Sequence, residues 1–92
     1  MKIVVNKCYG GFGMTEDFYN TFYGGYVRVL AEDRANEELI ANLEHYGVDK
    51  ASKRHADLCI VDIPDNATDW KIVEYDGLEY IMYVVDGKIY EA

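Results

Sequence analysis

Apolar positions recur along this chain in two rhythms, and the rhythm changes about two thirds of the way along. The stretch Lys2–Val5 runs Ile3-Val4-Val5, a β-branched series that predicts a first strand. Asn6–Met14 follows as a glycine-bearing loop. Thr15 suits the N-cap of a short helix, with Glu16 and Asp17 at the positive end of its dipole. Phe18 and Phe22, and likewise Tyr19 and Tyr23, stand four residues apart on that helix, and Gly24-Gly25 ends it. Val27 and Val29 share one face of a second short strand over Tyr26–Leu30. A longer helix is predicted over Glu37–Tyr46, with Asn36 as N-cap and Leu39, Ile40 and Leu43 as its apolar stripe. Gly47 then takes the C′ position, and a further helical turn is expected around Lys50–Arg54.

From Leu58 the period drops to that of strands. Leu58–Ile63 is a nearly unbroken apolar run, which predicts a central strand buried on both faces and places Cys59 in the core. Pro64-Asp65-Asn66 ends it. Asp76-Gly77 and Asp86-Gly87 are hairpin dipeptides between strand-like flanks, so Trp70–Tyr75, Leu78–Val85 and Lys88–Tyr90 form a three-strand meander. Two-residue turns set its register: Tyr75 opposite Leu78, Glu74 opposite Glu79, Ile72 opposite Ile81, Trp70 opposite Tyr83, Tyr83 opposite Tyr90, and Val85 opposite Lys88. One face then carries Trp70, Ile72, Ile81, Tyr83, Val85 and Tyr90. The other carries Val73, Tyr75, Leu78, Tyr80, Met82, Val84 and Ile89. One face packs on the helices, and an open second face suits a partner or a homodimer. The expected fold class is α+β: a small single domain over residues 1–92, mostly antiparallel sheet, with a C-terminal meander and two helices on one face.

Composition narrows the function. Ninety-two residues suit one domain, and half of them are hydrophobic, including nine Tyr, three Phe and one Trp, which argues against disorder. Seventeen acidic and nine basic residues give a formal charge of −8, which disfavours direct contact with nucleic acid. The longest apolar run, Ile81–Val85, is far below the ~20 residues of a membrane span, and Met1–Val5 is too short for a secretory signal. Cys8 and Cys59 lack metal or redox spacing, so free thiols in the cytoplasm are expected, with no cofactor and no metal site.

Two segments carry candidate chemistry. In Asn6-Lys7-Cys8-Tyr9-Gly10-Gly11-Phe12-Gly13, a strand enters a glycine loop ahead of a capped helix, an outline in which backbone amides meet an anion. Asn6, Lys7, Tyr9, Gly10, Gly11 and Gly13 form the candidate ligand site, with Arg34 as a phosphate partner. The glycine spacing matches neither the Walker A loop nor the dinucleotide fingerprint, and a simple turn with Phe12 tucked into the core competes with this reading. In Glu74-Tyr75-Asp76-Gly77-Leu78-Glu79, two glutamates oppose each other across the hairpin. That juxtaposition calls for a metal ion, a cationic partner, or an internal Arg34, Arg54 or Lys7. Glu74, Tyr75, Asp76 and Glu79 are the candidate partner-binding residues. Lys50–His55 is the one basic cluster, read as a solvated turn. His45 and His55 lack nucleophile–base spacing to Cys8, so no catalytic residue is assigned.

The opening Lys2–Gly13 and the hairpin Glu74–Glu79 resemble motifs of an uncharacterised family of small phage and prophage proteins. The similarity extends to Asp33-Arg34, Leu39–Glu44 with Gly47, Ala51-Ser52 and Leu58–Asp65. Members of that family often close on a His-Arg-containing tail ending in Trp, from which Tyr83–Ala92 departs. The resemblance implies no catalytic role. It implies a small accessory protein of the bacterial cytoplasm that blunts host defence.

Three functions follow as expectations. The first is a non-enzymatic module binding a small anionic, nucleotide-like ligand at the glycine loop. The alternative is an acidic, nucleic-acid-mimicking inhibitor of a basic host protein such as a nuclease or CRISPR effector, presenting Asp62, Asp65, Asp69, Glu74, Asp76, Glu79 and Asp86. The last is a small enzyme using Cys8 or the Glu74/Glu79 pair.

Overall fold

In a computed structural model, which describes all residues Met1–Ala92, the chain is a small α+β domain with five strands and three helices. In order they are β1 (Lys2–Asn6), α1 (Glu16–Tyr23), a 3-10 turn (Ala31–Ala35), α2 (Glu37–Tyr46), α3 (Val48–Ala51), β2 (Leu58–Asp62), β3 (Asp69–Tyr75), β4 (Leu78–Val85) and β5 (Lys88–Glu91). The strands form two antiparallel sheets, β1-β2 and β3-β4-β5. The meander has the register that its two-residue turns dictate, with Glu74 opposite Glu79 and Tyr83 opposite Tyr90. Asp76 and Asp86 have φ of 52°, and Gly77 and Gly87 have φ of 90° and 75°, the left-handed pairs that such turns require.

Both main helices begin and end where their caps lie. Thr15 Oγ1 accepts from the Phe18 amide at 3.2 Å, and Asn36 Oδ1 accepts from the Leu39 amide at 3.0 Å. Gly24 closes α1 in the left-handed region, and Gly47 closes α2. Phe18 is the centre of the helical core. Its ring meets Phe22, Tyr23 and Tyr46, with centroids 5.1 to 6.2 Å apart.

The most buried strand is β1. Ile3, Val4 and Val5 are all fully buried, and they divide between two cores. Val4 faces Phe18, Leu39, Leu43 and Leu58 on the helical side. Ile3 and Val5 face Ile63 and Ile81 on the meander side, where Trp70, Ile72 and Tyr83 join them. So β1 is the layer between helices and meander, which is why an unbroken β-branched run is needed there.

Three expectations are corrected. Leu58–Asp62 is not a strand buried on both faces: it pairs only with β1, and its second residue, Cys59, is exposed. An apolar run signals burial only when both faces are covered, and here the second cover goes to β1. Tyr26–Leu30 is not a strand but a segment without regular structure, and Tyr26 and Leu30 are exposed. The helical turn after Gly47 comes earlier than expected, at Val48–Ala51.

Candidate functional site

The two segments singled out by their chemistry lie against each other. The hairpin turn Asp76-Gly77 seats on the glycine loop, so closely that a Cβ on Gly77 would lie 2.5 Å from the Gly11 nitrogen and 2.7 Å from the Tyr9 carbonyl oxygen. Asn6 ties the seam. It is fully buried, its Nδ2 donates to the Cys8 and Gly77 carbonyls at 2.7 Å each, and its Oδ1 accepts from the Asp57 amide at 2.8 Å. One side chain thereby joins the glycine loop, the hairpin and the segment before β2, with every polar atom partnered.

Arg34, on the 3-10 turn, is the partner that the opposed glutamates require. Its two terminal nitrogens donate to the two oxygens of Glu79 at 2.8 and 2.9 Å. The pair is buried, with Arg34 7% and Glu79 6% exposed. The guanidinium lies over the Phe12 ring, its central carbon 3.4 Å from the ring centroid. Glu74 stays exposed at the turn, where it accepts from the Gly77 amide. The two carboxylates are therefore separated in function as well as in environment: one is neutralised inside, the other caps the turn.

The second loop face belongs to the basic cluster. Gly10 packs on the backbone of His55, and Gly13 on the side chain of Lys53, whose amide donates to the Gly13 carbonyl at 3.1 Å. The only run of basic residues in an acidic chain, Lys53-Arg54-His55, thus borders the glycine loop. His55 holds a φ of 68°, which turns the chain there. Sequence spacing carried no sign of this juxtaposition, since some forty residues separate the partners.

Beside this seam opens a cavity of about 500 Å³, lined by Phe12, Gly13, Met14, Glu16, Tyr19, Asn20, Tyr26, Val29 and Lys53. Tyr19 and Tyr26 meet edge to face, with centroids 5.2 Å apart, and form an aromatic corner. Burial raises the pKa of the Tyr19 phenol, keeping it neutral. Lys53 is the one cation of the lining and takes part in no ion pair. The backbone amides from Cys8 to Gly13 donate to no protein acceptor, and that of Gly13 belongs to a buried residue of the lining, whereas the Met14 amide faces the Tyr19 phenol.

Of the residues expected at a ligand site, Gly13 lines the cavity. Asn6, Gly10, Gly11 and Arg34 are engaged with other protein groups, as described. Tyr9 is exposed and lies outside the lining, and the Lys7 amide donates to the Asp57 carbonyl at 2.8 Å. Of the residues expected to meet a partner, Tyr75 is 74% exposed and Asp76 is exposed, whereas Glu79 is withdrawn into its ion pair. Tyr19, Asn20, Tyr26 and Lys53 were not singled out by sequence. Tyr19 had entered only as one of two tyrosines four residues apart on a helix, and Lys53 only as part of a solvated turn. The Cys8 thiol makes no hydrogen bond, and His45 stands against Phe22. No helix is long and apolar enough to cross a membrane. No family model, curated protein or solved structure matches the chain.

Proposed function

We propose that the chain is a non-enzymatic binding module for a small anionic, nucleotide-like ligand, held in the cavity beside the glycine loop. The observation that carries this reading is the cavity lining itself. An aromatic corner of Tyr19 and Tyr26, with the Phe12 ring, sits beside one unpaired lysine and a run of unpartnered backbone amides. Its volume falls within the roughly 300–1,000 Å³ of small-ligand sites.

A planar ring stacks in the aromatic corner, and the anion meets Lys53 Nζ and the amides around Gly13. Glu16 is the one carboxylate of the lining and disfavours a highly charged group near its own position. That selects a ligand with its phosphate toward Lys53. The sequence resemblance to phage proteins supports a counter-defence reading of such binding: sequestration of a nucleotide messenger in the bacterial cytoplasm, without turnover.

Native mass spectrometry of the purified chain, with a panel of linear and cyclic nucleotides, tests this. Retention of one ligand, lost in Lys53→Glu and in Tyr26→Ala, is the expected result. An unliganded mass across the whole panel overturns it. Retention lost in Lys7→Ala or Tyr9→Ala but kept in Lys53→Glu moves the site to the outer side of the loop.

A further inference from the structure

The inner face of the meander is accounted for by the core beneath β1. The outer face is not. Val73, Leu78, Tyr80, Met82 and Val84 belong to neither core, and Ile89 beside them is 67% exposed. By strand alternation they share one side of the sheet, at positions where a solvated antiparallel sheet normally carries polar residues.

The face carries three charges: Asp69, exposed at its end opposite Val84, and Lys71 and Glu91 at its middle. Lys71 on β3 and Glu91 on β5 both stand directly opposite Met82 of the central strand, one on each side. Two strand spacings put them about 10 Å apart, too far to pair with each other. Neither takes part in an ion pair within the chain.

We propose that this face is the interface of a homodimer whose two-fold axis runs parallel to β4, over Met82 and midway between the two sheets. A rotation about that axis lays β3 of one copy over β5 of the other. Met82 then meets Met82, and each Lys71 stands over the partner's Glu91, so both charges are neutralised twice by one symmetry operation. Sheets packed about 10 Å apart leave room for those long side chains to meet at the margins, with Val84 against Val84 and Tyr80 against Tyr80 along the axis. A neutral or single-sign face would not specify this orientation. A second copy does so with the residues present.

The face is small. Strands about 4.8 Å apart, rising about 3.4 Å per residue over some seven residues, cover roughly 350 Å² in plan. A standard interface takes about 800 Å² from each partner, so the dimer is expected to be weak and concentration-dependent.

Sedimentation equilibrium of the full chain over a concentration series into the millimolar range tests it. A monomer–dimer equilibrium is expected, abolished by Met82→Asp with an unchanged far-ultraviolet circular dichroism spectrum. Lys71→Glu sets carboxylates against carboxylates and Glu91→Lys sets ammonium groups against each other, so each weakens the dimer by roughly tenfold or more. The double exchange Lys71→Glu/Glu91→Lys restores it. A monomer at every concentration overturns the proposal, as does a dimer indifferent to Met82→Asp or a double exchange no tighter than the single ones.

Discussion

Arg34 and Glu79 grip each other end to end, and together they do for β1 what a neighbouring strand would. The residues of β1 that pair with β2 leave the Val4 carbonyl and the Asn6 amide facing the other way. Arg34 donates to the first at 3.3 Å while it holds Glu79, and Glu79 accepts from the second at 2.8 Å. One donor and one acceptor on two distant side chains thus satisfy two polar groups of a buried strand edge. The Arg34 Nε alone has no hydrogen-bond partner, a cost set against the cation–π contact of its guanidinium with Phe12.

That geometry predicts a strong asymmetry among substitutions. Glu79→Gln or Arg34→Leu leaves one buried charge uncompensated and is expected to cost roughly 3–5 kcal/mol. The double change Arg34→Leu/Glu79→Leu removes both charges but orphans the edge of β1, so its cost falls below the sum of the single changes. Urea unfolding at neutral pH measures all three. Additive costs would mean that the two side chains act separately.

The two hairpin turns provide a matched pair. Gly77 and Gly87 share a left-handed backbone, but a Cβ on Gly87 meets nothing within 4 Å. Gly87→Ala should therefore cost only the backbone strain, about 1–2 kcal/mol. Gly77→Ala should cost clearly more, because it also wedges the hairpin off the Tyr9–Gly11 loop. Thermal unfolding of both variants reads the difference, and equal costs would show that the seam is loose.

Tyr19 predicts a dependence on alkaline pH. Burial raises its pKa above the ordinary value of 10.0, so the folded chain keeps the proton while the unfolded chain loses it. Below that ordinary value the group leaves stability unchanged. Above it, the unfolded state binds fewer protons and stability falls as pH rises. Ultraviolet titration of the tyrosines should show one late-titrating phenol that disappears in Tyr19→Phe, and that variant should lose less stability above the ordinary tyrosine pKa.

The two thiols should separate in rate. Cys59 is exposed on β2, whereas Cys8 is partly covered beside the glycine loop. A thiol reagent under native conditions should modify Cys59 first. Cys59→Ser is expected to change stability by no more than about 0.5 kcal/mol, as for an ordinary surface position. A burial cost at Cys59 would contradict the open outer side of β2.

Most of what is local in this molecule was legible in the sequence, apart from the strand expected over Tyr26–Leu30 and the helical turn expected around Lys50–Arg54. The caps Thr15 and Asn36, the stops at Gly24 and Gly47, the hairpins at Asp76-Gly77 and Asp86-Gly87 and the whole register of the meander follow from short-range backbone chemistry, which needs no knowledge of distant residues. The opposed glutamates even announced that a cation was required. What only the tertiary structure decided is which distant groups meet. It chose Arg34 over Arg54 and Lys7 as that cation, covered β1 rather than β2 on both faces, and set the basic run at Lys53 beside the glycine loop. These outcomes depend on how layers stack, and stacking is fixed by the summed burial of many weak contacts rather than by any motif. An apolar strand carries the same pattern whether one sheet face or two will be covered. The cavity follows the same logic, since Phe12, Tyr19, Tyr26 and Lys53 become neighbours only after α1 folds against the loop from both sides.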